Sequence, residues 1–142
     1  MKLPIILMFS ILLLTCTFSC KKNKLHPVPS IPFDITININ LPSYSNLLGV
    51  GGYAYADGGS KGLVIYRLST YDFVAFDRHS PANNGECNDP LKTNEDNFLQ
   101  LIDQCSGASF SLIDGSPISG SEFGLRLYTT IFDGNANLRI YN

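Results

Sequence analysis

Period-two alternation, punctuated by Asp-Gly turns, is what most narrows the folds open to this chain. In "DITININL", residues 34–41, Ile35, Ile37, Ile39 and Leu41 alternate with polar residues. That spacing buries one face of a strand and cannot form the apolar stripe of a helix. Further short apolar runs come after it: "GVGGYAYA", "GLVIYRLS", "DFVAFDR", "FLQLID", "SFSLID", "PISG", "LRLYTTIF" and "NLRIYN". Asp57-Gly58, Asp114-Gly115 and Asp133-Gly134 fall between such runs, and Asp-Gly between apolar runs is a hairpin signal. No window of a dozen residues carries helical periodicity. The expected fold is antiparallel all-β, of sandwich or small-barrel type, and the closing "LRIYN" ties the C-terminus into a sheet.

The chain has 142 residues, enough for one small domain. The apolar block Leu3–Leu14 behind Lys2 is too short for a permanent membrane span and has the form of a signal-peptide core. It meets "TCTFSCKKNK", and lipoprotein leaders end at a cysteine that becomes the lipidated first residue. Cys20 follows the small Ser19 and precedes a polar, basic run. Cys16 would leave Phe18 in the mature tail, so Cys20 is preferred. The expected organisation is a lipoprotein signal peptide at 1–19, a lipidated Cys20 with a flexible tether to residue 33, and a β domain at 34–142. A plain secretory leader cleaved nearby is the competing reading. Acyl chains at about 0.8 kcal/mol per buried methylene make a long-lived anchor.

Loss of the leader removes only Lys2 and leaves nine basic against twelve acidic residues. That balance offers no basic stripe for nucleic acid. Lys21, Lys22 and Lys24 could touch anionic lipid, although a solvated tether explains them as well. The tether "KKNKLHPVPSIPF" holds three prolines and three lysines, a composition that buries no face. His26 within it reads as solvent-exposed.

With Cys16 and Cys20 assigned to leader and anchor, Cys87 and Cys105 remain. One cysteine pair in an exported domain is most simply one disulfide. It closes a loop of about 18 residues, for which chain entropy gives about 3 kcal/mol. The polar stretch "HSPANNGECNDPLKTNEDN", residues 79–97, is long for a plain connection, and such loops are usually functional or descended from functional ones.

Four stretches, in order, resemble a Rieske domain, in particular the small exported Rieske-like lipoproteins of Gram-negative bacteria: "GGYAYADGGSKGLVIYRLS", "DFVAFDRHSP", "CSGASFSLIDGSPISG" and "LRLYTTIFDGNANLRIYN". The resemblance covers about Ile35 to Asn142. It implies a base of antiparallel strands carrying a smaller lobe built from two loops. A Rieske cluster holds one iron by two cysteines and the other by two histidines, supplied as Cys-x-His and Cys-x-x-His. Anchored on Asp77-Arg78 and Pro81, the first loop puts Ser80 at the cysteine position and Ala82 at the histidine position. Anchored on Gly107 and Phe110, the second puts Asp103 at the cysteine and Ser106 at the histidine. All four ligand positions are therefore replaced. Cys105 falls on the non-ligand cysteine that in respiratory-type Rieske subunits pairs with one after the first loop, a role open to Cys87. "ISGSEFG" keeps Gly120 of the family's cover loop but has Ser121 in place of its proline; with no cluster to shield, that loop is free to depart from the family pattern.

The resemblance therefore implies a stapled scaffold without its [2Fe–2S] cluster: no cofactor, no catalytic residue, and a binding or structural role beside an envelope protein of unspecified kind. The expected location is the bacterial cell envelope, on the outer membrane facing the periplasm. The alternative is a [2Fe–2S] electron carrier. A third reading puts a single metal ion on His79, Asp77 and Asp103, ranked below a structural role. Ser80, Ser106 and Ser109 raise nucleophilic catalysis, which needs a base within hydrogen-bond reach. Only His79 could serve, so backbone bonding is expected of these serines. "GVGG" and "DGGS" lie between strands and lack the helix that phosphate loops need. The acidic and amide residues of 83–97 lack the spacing of a calcium loop. The aromatics Tyr53, Tyr55, Tyr66, Phe73, Phe76 and Tyr128 sit on strand patterns and suit core packing.

Overall fold

The computed structural model describes residues 24–142. The leader, Cys16, Cys20 and the lysines at 21 and 22 lie outside the described residues. Among those described, no helix is long and apolar enough to cross a membrane.

Among the described residues, ten strands form two antiparallel sheets. The larger contains β1 (Asp34–Asn38), β2 (Tyr53–Ala56), β3 (Leu63–Arg67), β4 (Phe73–Asp77), β9 (Leu127–Phe132) and β10 (Asn137–Tyr141), in the order β1-β10-β9-β4-β3-β2. The smaller runs β5 (Lys92–Thr93), β6 (Gln100–Ile102), β7 (Ser109–Ser111) and β8 (Pro117–Ser119) in sequence order. Strands β4 and β9 are hydrogen-bonded neighbours, Ala75 opposite Tyr128. The whole small sheet is thus an excursion of the chain between two adjacent strands of the base. This is the all-β base with a lobe that the sequence leads one to expect.

The base buries one face along the sheet and the other only where the lobe covers it, while the outer face of β9, β10 and β1 is exposed. On the first, Ile37 and Ile39, Ala54, Leu63 and Ile65, Phe73 and Ala75, Tyr128, Leu138 and Ile140 form a core. Residues of both edge strands, Ile37 and Ala54, join it, so the sheet curls into a half-barrel. On the other face Val64, Tyr66 and Phe76 meet Leu91, Leu101, Phe110 and Leu112 of the lobe. Strand β3 faces both cores and is buried along its whole length. That is why "LVIY" is continuously apolar while β1 alternates. Phe76 and Phe110, both fully buried, each contribute about 1.5–3 kcal/mol at this junction.

The three Asp-Gly turns are present, between β2 and β3, β7 and β8, and β9 and β10. The expectation for Leu41 is corrected: β1 stops at Asn38, and Leu41 is half exposed in front of a 3-10 segment, Pro42–Leu48. Proline at the first turn of that segment, with φ already set, favours the helical start over a continued strand. The reading of His26 as exposed is also corrected. Its Nε2 donates to the Gly124 carbonyl at 3.0 Å, its ring meets Phe123 edge-on, and Val28 is fully buried. Arg126 Nε donates to the Val28 carbonyl at 3.0 Å. Two prolines flank Val28. They hold this segment extended, so docking it costs little conformational entropy.

Candidate functional site

The two loops around the cysteines meet at one end of the lobe. The first leaves β4 at Arg78 and turns through Ala82–Gly85, where Asn83 and Asn84 take left-handed φ of 47° and 57°. The second links β6 to β7. A disulfide joins Cys87 to Cys105, with Cα atoms 5.7 Å apart.

Ser80, Ala82, Asp103 and Ser106, which the alignment to Rieske ligands singles out one by one, converge at the junction. Ser80 is fully buried, and its Oγ donates to Asp103 Oδ2 at 2.6 Å. Ser106 Oγ donates to the same oxygen at 2.8 Å. The amides of Cys105 and Ser106 donate to Oδ1 at 2.8 and 3.3 Å. Ser80 Oγ in turn accepts the Ala82 amide at 3.2 Å, and Ser106 Oγ accepts the Ala108 amide at 3.2 Å. Burial is the largest influence on the Asp103 carboxyl and opposes its charge. The four hydrogen bonds from Ser80, Ser106 and the two amides outweigh it and hold the group below the usual carboxylate range. The expectation that these serines bond to backbone holds only for what they accept; their protons go to a carboxylate. Ser109 pairs instead with Ser119, Oγ to Oγ at 2.8 Å.

A second buried carboxylate organises the base end of the same loop. Asp77 accepts the Ser60 amide and the Tyr128 hydroxyl at Oδ2, both at 2.6 Å, and the His79 amide at Oδ1 at 2.8 Å. Gly59, with φ of 60°, makes this possible, since a Cβ there would lie 2.5 Å from Asp77 Oδ2. Burial, then the hydrogen bond to Asp77 and its charge, push the Tyr128 hydroxyl well above its ordinary value.

His79 is buried, and both ring nitrogens are committed. The Gly85 carbonyl, 2.8 Å from Nε2, can only accept, so Nε2 carries a proton. In the neutral ring Nδ1 then accepts from Ser60 Oγ at 2.8 Å. The proposed metal trio of His79, Asp77 and Asp103 is therefore corrected. Among the described residues, the metal-type atoms that converge within 4.8 Å belong to Cys87, Asp103 and Cys105. The two sulfurs of that group are bonded to each other. Ser60, the true partner of His79, is not legible in the sequence: it lies 19 residues away in a glycine turn.

The cover loop does not hang free. Gly120, with φ of 74°, sits so close to the second loop that a Cβ would lie 3.0 Å from Ala108 Cα. Ser121 Oγ donates to the Phe123 carbonyl at 2.8 Å. Glu122 pairs with Lys24, while Phe123 and Gly124 receive His26. The loop is anchored to the N-terminal segment.

No family model matches the chain, and no curated protein does. A solved structure is similar. It is a protein assigned as the NADH-dependent nitrite reductase small subunit from Mycobacterium tuberculosis, 16% identical over 79% of this chain and 96% of that one, with a TM-score of 0.44. The likeness is too distant to assign a function.

Proposed function

We propose that this chain is a Rieske-like domain without an iron–sulfur cluster, acting as a non-enzymatic binding or structural module of the bacterial cell envelope. The observation that carries the reading is the Ser80–Asp103–Ser106 network. A Rieske cluster needs two thiolates and two imidazoles. The four positions here offer two hydroxyls, a methyl group and a carboxylate whose oxygens already take four hydrogen bonds. The nearby sulfurs of Cys87 and Cys105 are tied to each other, and His79 is turned to Ser60 and Gly85. This donor set does not fit the cluster. It fits a lock that holds the two loops together with no metal. Lipidation of Cys20 would attach the module to a membrane, the outer one facing the periplasm, and its partner there would be another envelope protein.

The test is metal content. The full chain is produced anaerobically with iron and sulfide in supply, purified in detergent, and assayed for iron, acid-labile sulfide and visible absorption. The expected product is colourless and substoichiometric in both. A brown protein with two irons and two sulfides per chain overturns the reading. Mass spectrometry of the same sample checks for diacylglycerol on Cys20, and an intact leader or a cut elsewhere removes the anchor.

A further inference from the structure

A cavity of about 490 Å³ opens between the β2–β3 turn and the start of the first loop, lined among others by Tyr44, Tyr55, Asp57, Ser60, Lys61 and Arg78. It shares no residue with the Asp103 network, so its chemistry is independent of whether that network excludes iron.

Arg78 is unusual for a surface arginine. Its guanidinium stacks on Tyr55, 3.8 Å from the ring centroid, and its Nε donates to the Leu91 carbonyl at 2.9 Å. The group is half-buried, and burial lowers its pKa from the ordinary value. It has no carboxylate partner: the ion pairs among the described residues are Lys24–Glu122 and Arg139–Asp34. Its two terminal nitrogens make no hydrogen bond among those residues, yet among the same residues no side-chain nitrogen or oxygen is both buried and unpaired. The free fork therefore opens toward solvent at the cavity. Beside it, Lys61 is held by the Cys87 carbonyl and adds a second positive charge to the wall. Asp57, exposed and without a hydrogen bond or ion pair among the described residues, is the one carboxylate in the lining.

We propose that this cavity binds an anion with two oxygens in one plane, a carboxylate or a phosphate group, on the guanidinium fork of Arg78. A fork already fixed by stacking and by its Nε bond loses little rotamer freedom when it takes such a ligand. The bidentate geometry suits carboxylate and phosphate equally. Phenol rings of Tyr44 and Tyr55 at the rim favour an anion carried on a small organic body.

The experiment is calorimetric titration of the full chain in low-salt buffer with inorganic phosphate and, separately, with succinate. Saturable binding of either is expected, and which one binds identifies the anion class. Arg78→Lys keeps the charge and loses the fork. It should weaken binding about tenfold or more, the equivalent of one charge-assisted hydrogen bond. Asp57→Asn removes the repelling carboxylate without touching a structural contact, so it should tighten binding, a second test that does not depend on the folding of the arginine variant. No saturable binding of either anion at tens of millimolar overturns the proposal. So does binding that Arg78→Lys leaves unchanged, or that Asp57→Asn fails to strengthen.

Discussion

Replacing Ser80 by alanine tests the lock between the loops directly. Ser80 is fully buried and does two jobs: it donates to Asp103 Oδ2 at 2.6 Å and accepts the Ala82 amide at 3.2 Å. A hydrogen bond to a charged group contributes about 1.5–3 kcal/mol, and a stranded amide adds about 1 kcal/mol. The variant should therefore lose about 2.5–4 kcal/mol at neutral pH, a large share of a small domain's stability. The loss should also depend on pH. The folded Asp103 carboxyl is held below its unfolded value. Its contribution is thus full above the ordinary carboxylate range and disappears as pH falls through the folded value. Ser80→Ala weakens the bond to the charged form, so the gap between wild type and variant should be widest at neutral pH and narrow in acid to about the Ala82 amide's share. Urea denaturation followed by tyrosine emission reads this cleanly, because the chain has no tryptophan. A variant as stable as wild type at pH 7, or a deficit unchanged in acid, would refute the carboxylate lock.

Other substitutions probe the frame around it. Replacing both Cys87 and Cys105 by serine, which opens an 18-residue loop, should cost about 3 kcal/mol in the same denaturation assay. Gly115→Ala should cost about 2–4 kcal/mol, since φ is 73° and the new methyl would lie 2.6 Å from the buried Phe76 ring; thermal melting checks it. Tyr128→Phe should cost about 1.5–3 kcal/mol by removing the donor to buried Asp77. In wild type, the Tyr128 contribution is complete below the unfolded tyrosine value near pH 10 and fades as pH climbs toward the raised folded one. Alkaline absorbance titration should then show one of the seven tyrosines ionising late, and that late step should vanish in Tyr128→Phe.

The strand framework is legible in the sequence because its signals are local. Alternation at Ile35, Ile37 and Ile39 and the three Asp-Gly turns act within a few residues. β5 is not legible: two residues, Lys92 and Thr93, carry no period, and they pair only because Leu101 and Ile102 present an edge. Ser80, Ala82, Asp103 and Ser106 are singled out only through the resemblance, and the structure brings all four to one junction. The resemblance cannot say what they do there, because a serine–carboxylate bond between residues 23 apart has no local signature. The same limit hides Ser60 from His79. His26 misleads for the opposite reason: its proline-rich surroundings look like a linker, while its contacts lie 98 residues downstream.

If Cys20 carries a lipid, as proposed, the docked N-terminal stretch constrains how the domain can sit on a membrane. Lys24 meets Glu122 at the edge of the cover loop, and Cys20 is four residues upstream, a reach of at most about 14 Å. With a lipid on Cys20, the Glu122 edge of the loop after β8 would be held close to the headgroups.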